Sequence, residues 1–285
     1  MDVAKLIIFV TLITLILSCS NEKEKLQIGA QVLSNLNDVQ VSTWNKLSDK
    51  NIYFGHQSIG HNILEGIEDI LSGQPQIKLN IVETTDPKDF KGGIFAHSKI
   101  GKNMNPESKI DEFEKILENG VGDKVDIAIL KFCAVDINPP TDVEIVFNAY
   151  KSAFSRLKMK YPDTVFIHVT VPLTSDGVGI RYLIKKTKDI VKNIVGKTNY
   201  YNNDKRNIFN EMLLNEYSGK EPIFDLAELQ STYPDGTRST YEKDGKTYYS
   251  LVADYTYPRD ALHLNEYSRR ITAERMLILL TEYAR

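Results

Sequence analysis

Asn51-Ile-Tyr-Phe-Gly-His-Gln-Ser-Ile-Gly60 is the stretch around which the rest of the chain is organised. Its apolar run (Ile52, Tyr53, Phe54) breaks at Gly55, and polar His56, Gln57 and Ser58 follow. Ile59, Ile63, Ile67, Ile70 and Leu71 then recur on one helical face. The pattern predicts strand, tight turn, helix. Such a turn lifts a small polar side chain clear of the sheet edge, and the helix behind it supplies free N–H groups and positive dipole. Ser58 there is either a helix cap or a nucleophile whose substrate oxyanion would face those donors. The stretch alone favours the cap, and the far end of the chain reverses that.

Working outward, residues 28–47 read as an entry helix and residues 77–84 alternate as a strand. Residues 86–108, rich in Gly, Asp, Lys, Asn and Pro, read as a long loop. Residues 110–117 are helical, and 125–135 are nearly continuously apolar, as a strand buried on both faces should be. A helix is expected over 143–159, a strand over 164–171, helices over 182–195 and 205–217, and a short strand over 222–226. Six tyrosines (Tyr233, Tyr241, Tyr248, Tyr249, Tyr255, Tyr257) surround the hairpin signal Asp244-Gly245. They suit either edge packing or stacking on sugar rings. A last helix runs over 264–283. Strands alternating with helices predict a three-layer α/β/α sandwich with a mostly parallel sheet and right-handed crossovers. Ligands bind such sheets beyond the carboxyl ends of the strands, where Ser58, Asp136, Thr174 and Asp225 all fall.

The second half of the site is Pro258-Arg-Asp-Ala-Leu-His-Leu-Asn265. Asp260 and His263, three residues apart, can stack on one turn. The carboxylate then fixes the imidazole tautomer and leaves the other ring nitrogen for Ser58. Together these residues resemble the SGNH (GDSL-type) hydrolase superfamily over the chain from about Asn51 to the end. The resemblance implies a flavodoxin-like fold, ester hydrolysis, Ser58 as nucleophile with Asp260 and His263 as partners, and no cofactor. It also implies an oxyanion hole from the Ser58 N–H and a glycine after strand two, best matched by Gly101, with Gly92 and Gly93 as rivals. Two departures are plain: Gly-Asp-Ser-Leu has become Gly55-His-Gln-Ser-Ile, and Val135 in Cys133-Ala-Val-Asp136 stands where the family carries an oxyanion asparagine. Asn103, Gln57 or Lys131 could substitute. Gln57, Lys131 and Asp136 are further candidates for substrate binding, Lys131 either reaching the cleft or snorkelling to water. The order Ser, Asp, His also suits α/β-hydrolases, but Gly-x-Ser-x-Gly is missing.

His56, His61 and His97 could converge, but they lack metal-ligand spacing, so no metal is expected. Composition excludes other classes. Among 285 residues, 42% hydrophobic and 26% charged, the net charge of −3 comes without long single-sign blocks, so no nucleic-acid partner is expected. Lys5 precedes an unbroken apolar run over residues 6–17, short for a membrane span and suited to a signal peptide, with an uncleaved membrane anchor as the alternative. Ile16-Leu17-Ser18-Cys19 resembles a bacterial lipobox, which implies a signal peptide over 1–18, a lipidated Cys19 with a tether to residue 30, and one domain over 31–285. Cys133 is then the only thiol and is expected to be buried and inert. The expectation is an extracytoplasmic serine esterase on the bacterial cell envelope, anchored through Cys19. It would take a small-molecule or glycan ester, with carbohydrate deacetylation within its range. The alternative is a glycan-binding lipoprotein of the same fold that has lost catalysis.

Overall fold

Ile52, Tyr53 and Phe54 do form a strand, and it lies in the interior of the sheet. The computed structural model describes residues 35–175, 203–258 and 260–284. The segments expected as signal peptide, lipidated Cys19 and tether, and the helix expected over 182–195, lie outside the described residues. The sheet and its helices belong to the compact unit Gln40–Arg285. Its strands are β1 Asn51–His56, β2 Ile81–Glu83, β3 Ile94–Lys99, β4 Ile127–Leu130, β5 Val165–Val169, β6 Ile223–Phe224, β7 Thr240–Lys243 and β8 Lys246–Tyr249. Its helices are α1 Val41–Ser48, α2 Ser58–Gly73, α3 Pro106–Ile116, α4 Val143–Lys160, α5 Asp204–Tyr217, α6 Leu226–Ser231 and α7 Glu266–Glu282.

The main sheet has the order β2-β3-β1-β4-β5-β6, and every pairing is parallel. Without the short edge strand β2 this is the flavodoxin-like order, whose direction reverses beside the first strand. Ser58 follows that strand. One face of the sheet carries α2 and α7. The other carries α3, α4 and α5 over an aromatic core that includes Tyr53, Phe113, Tyr150, Phe154 and Phe209. Ile127, Ala128, Ile129 and Leu130 are all buried, as a central parallel strand requires.

Several expected boundaries move. The loop expected over 86–108 contains β3, which pairs with β1 from Asn51↔Ile94 to His56↔Lys99. Its apolar part is only Ile94-Phe95-Ala96, set between Gly92 and Gly93, at φ 103° and 71°, and a polar end. The strand expected over 77–84 contracts to Ile81–Glu83 at the sheet edge. The strand expected to reach residue 135 ends at Leu130 because Asp136 draws the chain into a turn, its carboxylate accepting from Cys133 N–H at 2.6 Å. The entry helix begins only at Val41, after a separate 3-10 turn at Leu36–Asp38. At Asp244-Gly245 both residues are left-handed (φ 52° and 74°), the conformation of a type I′ hairpin turn between β7 and β8.

Candidate active site

Ser58 is the first residue of α2, and the cap position belongs to Gln57. Gly60 and His61 N–H groups donate to Gln57 O at 2.7 and 3.3 Å, and no side chain caps the helix. The capping reading of Ser58 is therefore overturned. Its half-buried hydroxyl makes no hydrogen bond to any described residue, and the first N–H groups of α2, at Ser58 and Ile59, lack an intrahelical partner.

His56 braces this turn from behind. Buried, it donates from Nδ1 to Gln57 O at 2.9 Å and accepts at Nε2 from His97 Nδ1 at 3.1 Å. Burial pushes its pKa down to about 3 and lowers that of His97 as well. His56 stays neutral, so a single tautomer satisfies both bonds. Gly60 permits the packing: a Cβ there would lie 2.3 Å from His56 Cβ. Both His56 nitrogens are engaged within the protein, and His61 turns to Glu65 at 3.6 Å.

The partner turn sits on the same carboxyl rim, because Ser175 N–H, beyond β5, donates to Ala261 O at 2.9 Å. Asp260 Oδ1 accepts from the N–H groups of Leu262 and His263 at 2.8 and 3.0 Å, and Oδ2 lies 2.9 Å from His263 Nδ1. Burial alone would raise the Asp260 pKa. The His263 and Leu262 N–H bonds and the imidazole outweigh it and hold the carboxyl below its usual range. Asp260 thus stays ionised and fixes His263 as an Nδ1–H tautomer with Nε2 free to accept a proton. Asp260 and His263 are joined, while no hydrogen bond within 3.5 Å links His263 to Ser58. Arg259, between Pro258 and Asp260, lies outside the described residues.

The loop after β3 corrects several assignments. Gly101 is left-handed (φ 56°) and fits because a Cβ would collide with Lys109, but its N–H donates to Glu112 Oε2 at 2.7 Å. That N–H is unavailable to an oxyanion. Gln57 Nε2 donates to Ile100 O and Gly101 O at 2.8 and 3.2 Å, so this amide pins the loop. Asp136, expected as a substrate-binding residue, is instead fully buried and engaged within the protein, accepting from Lys109 Nζ, Met104 N–H and Cys133 N–H at 2.5, 2.9 and 2.6 Å. Lys109 also donates to Asn103 Oδ1 at 3.1 Å, which leaves the Asn103 amide nitrogen unengaged at an exposed position. Lys131 does not snorkel. It is wholly buried, donates to Phe132 O at 2.9 Å, and burial pulls its pKa down. Asp225 caps α6 through Glu228 N–H at 3.0 Å and accepts from Thr170.

Sequence reasoning missed two rim-building groups. Arg206 in α5 is fully buried and donates to Ala134 O, Ile137 O and Thr174 Oγ1 at 2.7, 3.1 and 3.0 Å, tying together the segments after β4 and β5. Lys109 ties the loop after β3 to the one after β4. The place of Lys109 beside Ile110 and Phe113, and of Arg206 one turn from Phe209 and Asn210, is the one signal that could have marked them.

No family model and no curated protein sequence matches the chain. Among solved structures it is similar to a Bacteroides fragilis protein provisionally described as an acylhydrolase, at 12% identity and a TM-score of 0.48, over 88% of this chain and 100% of that one. It is also similar to a Streptococcus pneumoniae protein provisionally described as a platelet activating factor, at 15% identity and 0.48, over 91% and 99%. A third is the periplasmic domain of a Salmonella lipopolysaccharide acetyltransferase, at 12% and 0.42, over 84% and 87%.

The rim itself carries the chemistry. Among the described residues no group of three or more His, Cys, Asp or Glu side chains is placed to hold a metal. What the rim holds is a serine hydroxyl at an uncapped helix start and an imidazole oriented by an ionised carboxylate. Those are the elements of acyl transfer through a serine.

Proposed function

We propose that the protein is a serine hydrolase of carboxylic esters. The observation that carries this reading is the Asp260–His263 pair, with Nε2 of His263 free on the rim where Ser58 begins an uncapped helix. Ser58 Oγ attacks the acyl carbonyl while its proton passes to His263 Nε2, and Asp260 stabilises the resulting imidazolium. Collapse of the tetrahedral intermediate expels the alcohol, which takes that proton. Water, activated by the same imidazole, then frees the acid and regenerates Ser58. The oxyanion is held by the Ser58 and Ile59 N–H groups. The amide nitrogen of Asn103 is the candidate third donor, in place of Gly101 and of the asparagine that Val135 displaces.

A fluorophosphonate probe should label wild type at Ser58, and Ser58→Ala and His263→Ala should each lose several orders of magnitude in turnover of 4-nitrophenyl acetate. The double variant should lose little more, because triad members act as a unit. A folded Ser58→Ala protein with wild-type hydrolysis ends the proposal.

The second reading, a binding protein without catalysis, is favoured by Val135, by the Gly101 N–H engaged on Glu112, and by the missing Ser58–His263 bond. Absence of labelling would select it. The address belongs to the proposal too: Cys19 is the lipidated first residue of a mature protein on the bacterial envelope. Cys19→Ala should abolish processing or membrane association, and a variant unchanged in both would rule the anchor out.

A further inference from the structure

A cavity of about 700 Å³ opens between α5, α6 and the β7–β8 hairpin, within the usual size range of ligand pockets. Its construction explains why it is open. Asn207 in α5 clamps the main chain of Tyr249 from both sides, its Oδ1 accepting from the Tyr249 N–H and its Nδ2 donating to the Tyr249 O, each at 3.0 Å. Lys243, next to the turn, pairs with Asp204 at the start of α5 at 2.7 Å. Held at these two points, the hairpin stands off the helix and leaves space between them.

The lining has the composition of a neutral-sugar site. Tyr248 and Tyr249 supply aromatic surface, and Leu173, Ile208 and Leu214 an apolar lining. The C–H faces of a pyranose pack on such surfaces, while its hydroxyls need polar partners. Those partners are present. Glu211, Asn215 and Lys246 line the cavity, and their side chains make no hydrogen bond or ion pair with any described residue. Ile208, Glu211 and Asn215 lie at helical spacing on one face of α5.

Charge argues against an anionic ligand. Three carboxylates (Glu211, Asp225, Glu228) face two cations (Arg238, Lys246). Arg238 is already committed: it donates to Ser231 Oγ at 2.7 Å, lies 3.8 Å from Glu228, and stacks on the Tyr249 ring at 3.9 Å. A phosphate or uronate would meet net negative charge.

Position links the cavity to Ser58. Leu173 follows β5 and Asp225 follows β6, so it opens at the rim where Ser58 follows β1. In the order β1-β4-β5-β6 the separation is three strand spacings, about 14 Å. We infer that this cavity is a binding subsite for a neutral oligosaccharide, holding the glycan part of an ester whose acyl group lies at Ser58. The link to the ester rests on the hydrolase reading, whereas the binding itself does not.

Calorimetry with xylohexaose, cellohexaose and mannohexaose, and with hexagalacturonate as the anionic control, tests this on wild type and Ser58→Ala. At least one neutral hexaose should bind both proteins alike. Tyr248→Ala and Tyr249→Ala should weaken that binding about tenfold or more, with 4-nitrophenyl acetate hydrolysis unchanged. Because the tyrosines also pack the hairpin, Glu211→Ala with Asn215→Ala, on the exposed face of α5, provides a second test and should weaken binding likewise. The inference is overturned if no neutral hexaose binds, if only the galacturonate binds, or if binding survives both sets of variants. Tyrosine-dependent binding by a protein that never labels at Ser58 would sink the hydrolase reading and leave the glycan subsite standing.

Discussion

At the residue scale, the arrangement depends on groups whose neighbours leave them no alternative. Gly60 is the clearest. Alanine is the better helix former by about 1 kcal/mol, so propensity alone predicts that Gly60→Ala stabilises α2. The Cβ, however, would sit 2.3 Å from His56 Cβ and 2.7 Å from Nδ1, and the ring cannot retreat without breaking its bonds to Gln57 O and His97. Overpacking of this kind costs about 1–3 kcal/mol, and we expect the clash to win. Urea unfolding should show a net loss, and a stabilised variant would mean that His56 has room to move. The same scale shows what sequence reveals and conceals. The place of Ser58 at the turn after β1 and the contact between Asp260 and His263 were legible because strand–turn–helix patterning and a three-residue spacing dictate them. The engagement of the Gly101 N–H on Glu112 and of Asp136 on Lys109 was not, because both depend on which side chain of α3 faces the loop.

At the element scale, α2 begins at Ser58, α7 begins three residues after His263, and the two helices meet at Gly66. A Cβ there would lie 2.6 Å from the backbone O of Arg269 and 2.9 Å from Ala273 Cβ. The contact is against main chain, so only a shift of a whole helix could relieve it. Gly66→Val should therefore lower stability by about 1–3 kcal/mol. It should also reduce turnover of 4-nitrophenyl acetate more than Gly60→Ala does, since it displaces His263 relative to Ser58. Equal activity in a destabilised Gly66→Val protein would show that the helix pair does not set the geometry. Elements with strong periodicity, such as β1, α2, β4 and α4, were legible. β3 was not: its three apolar residues lie in a polar stretch, and it is a strand because β1 and β2 both pair with it.

At the scale of the whole molecule, buried neutral histidines make stability depend on pH. His168 is fully buried, with Nδ1 accepting from the Tyr150 hydroxyl at 2.8 Å and Nε2 donating to Glu221 at 3.0 Å; burial holds its pKa at about 4 despite that carboxylate. His56 is held at about 3. In the unfolded chain both take up protons near pH 6.5. Between that value and the folded pKa the unfolded state binds more protons, so stability falls as pH drops. At pH 5 each histidine should cost about 2 kcal/mol relative to neutral pH. Denaturant titrations at pH 7 and 5 check this, and a flat profile would contradict the burial of both rings. The Lys109–Asp136 pair has a kinetic consequence. It joins α3 to the turn after β4, and each partner would be a buried charge without its counter-ion if the other were removed. The pair forms only once the ends of β3 and β4 are in place on either side of β1, so the rim should assemble after the sheet, as a late step beyond the folding transition state. Lys109→Met, which breaks the pair, should then speed unfolding by about 10²–10³-fold while leaving the folding rate nearly unchanged. The rim would thus set how long the molecule stays folded, and the sheet how fast it gets there.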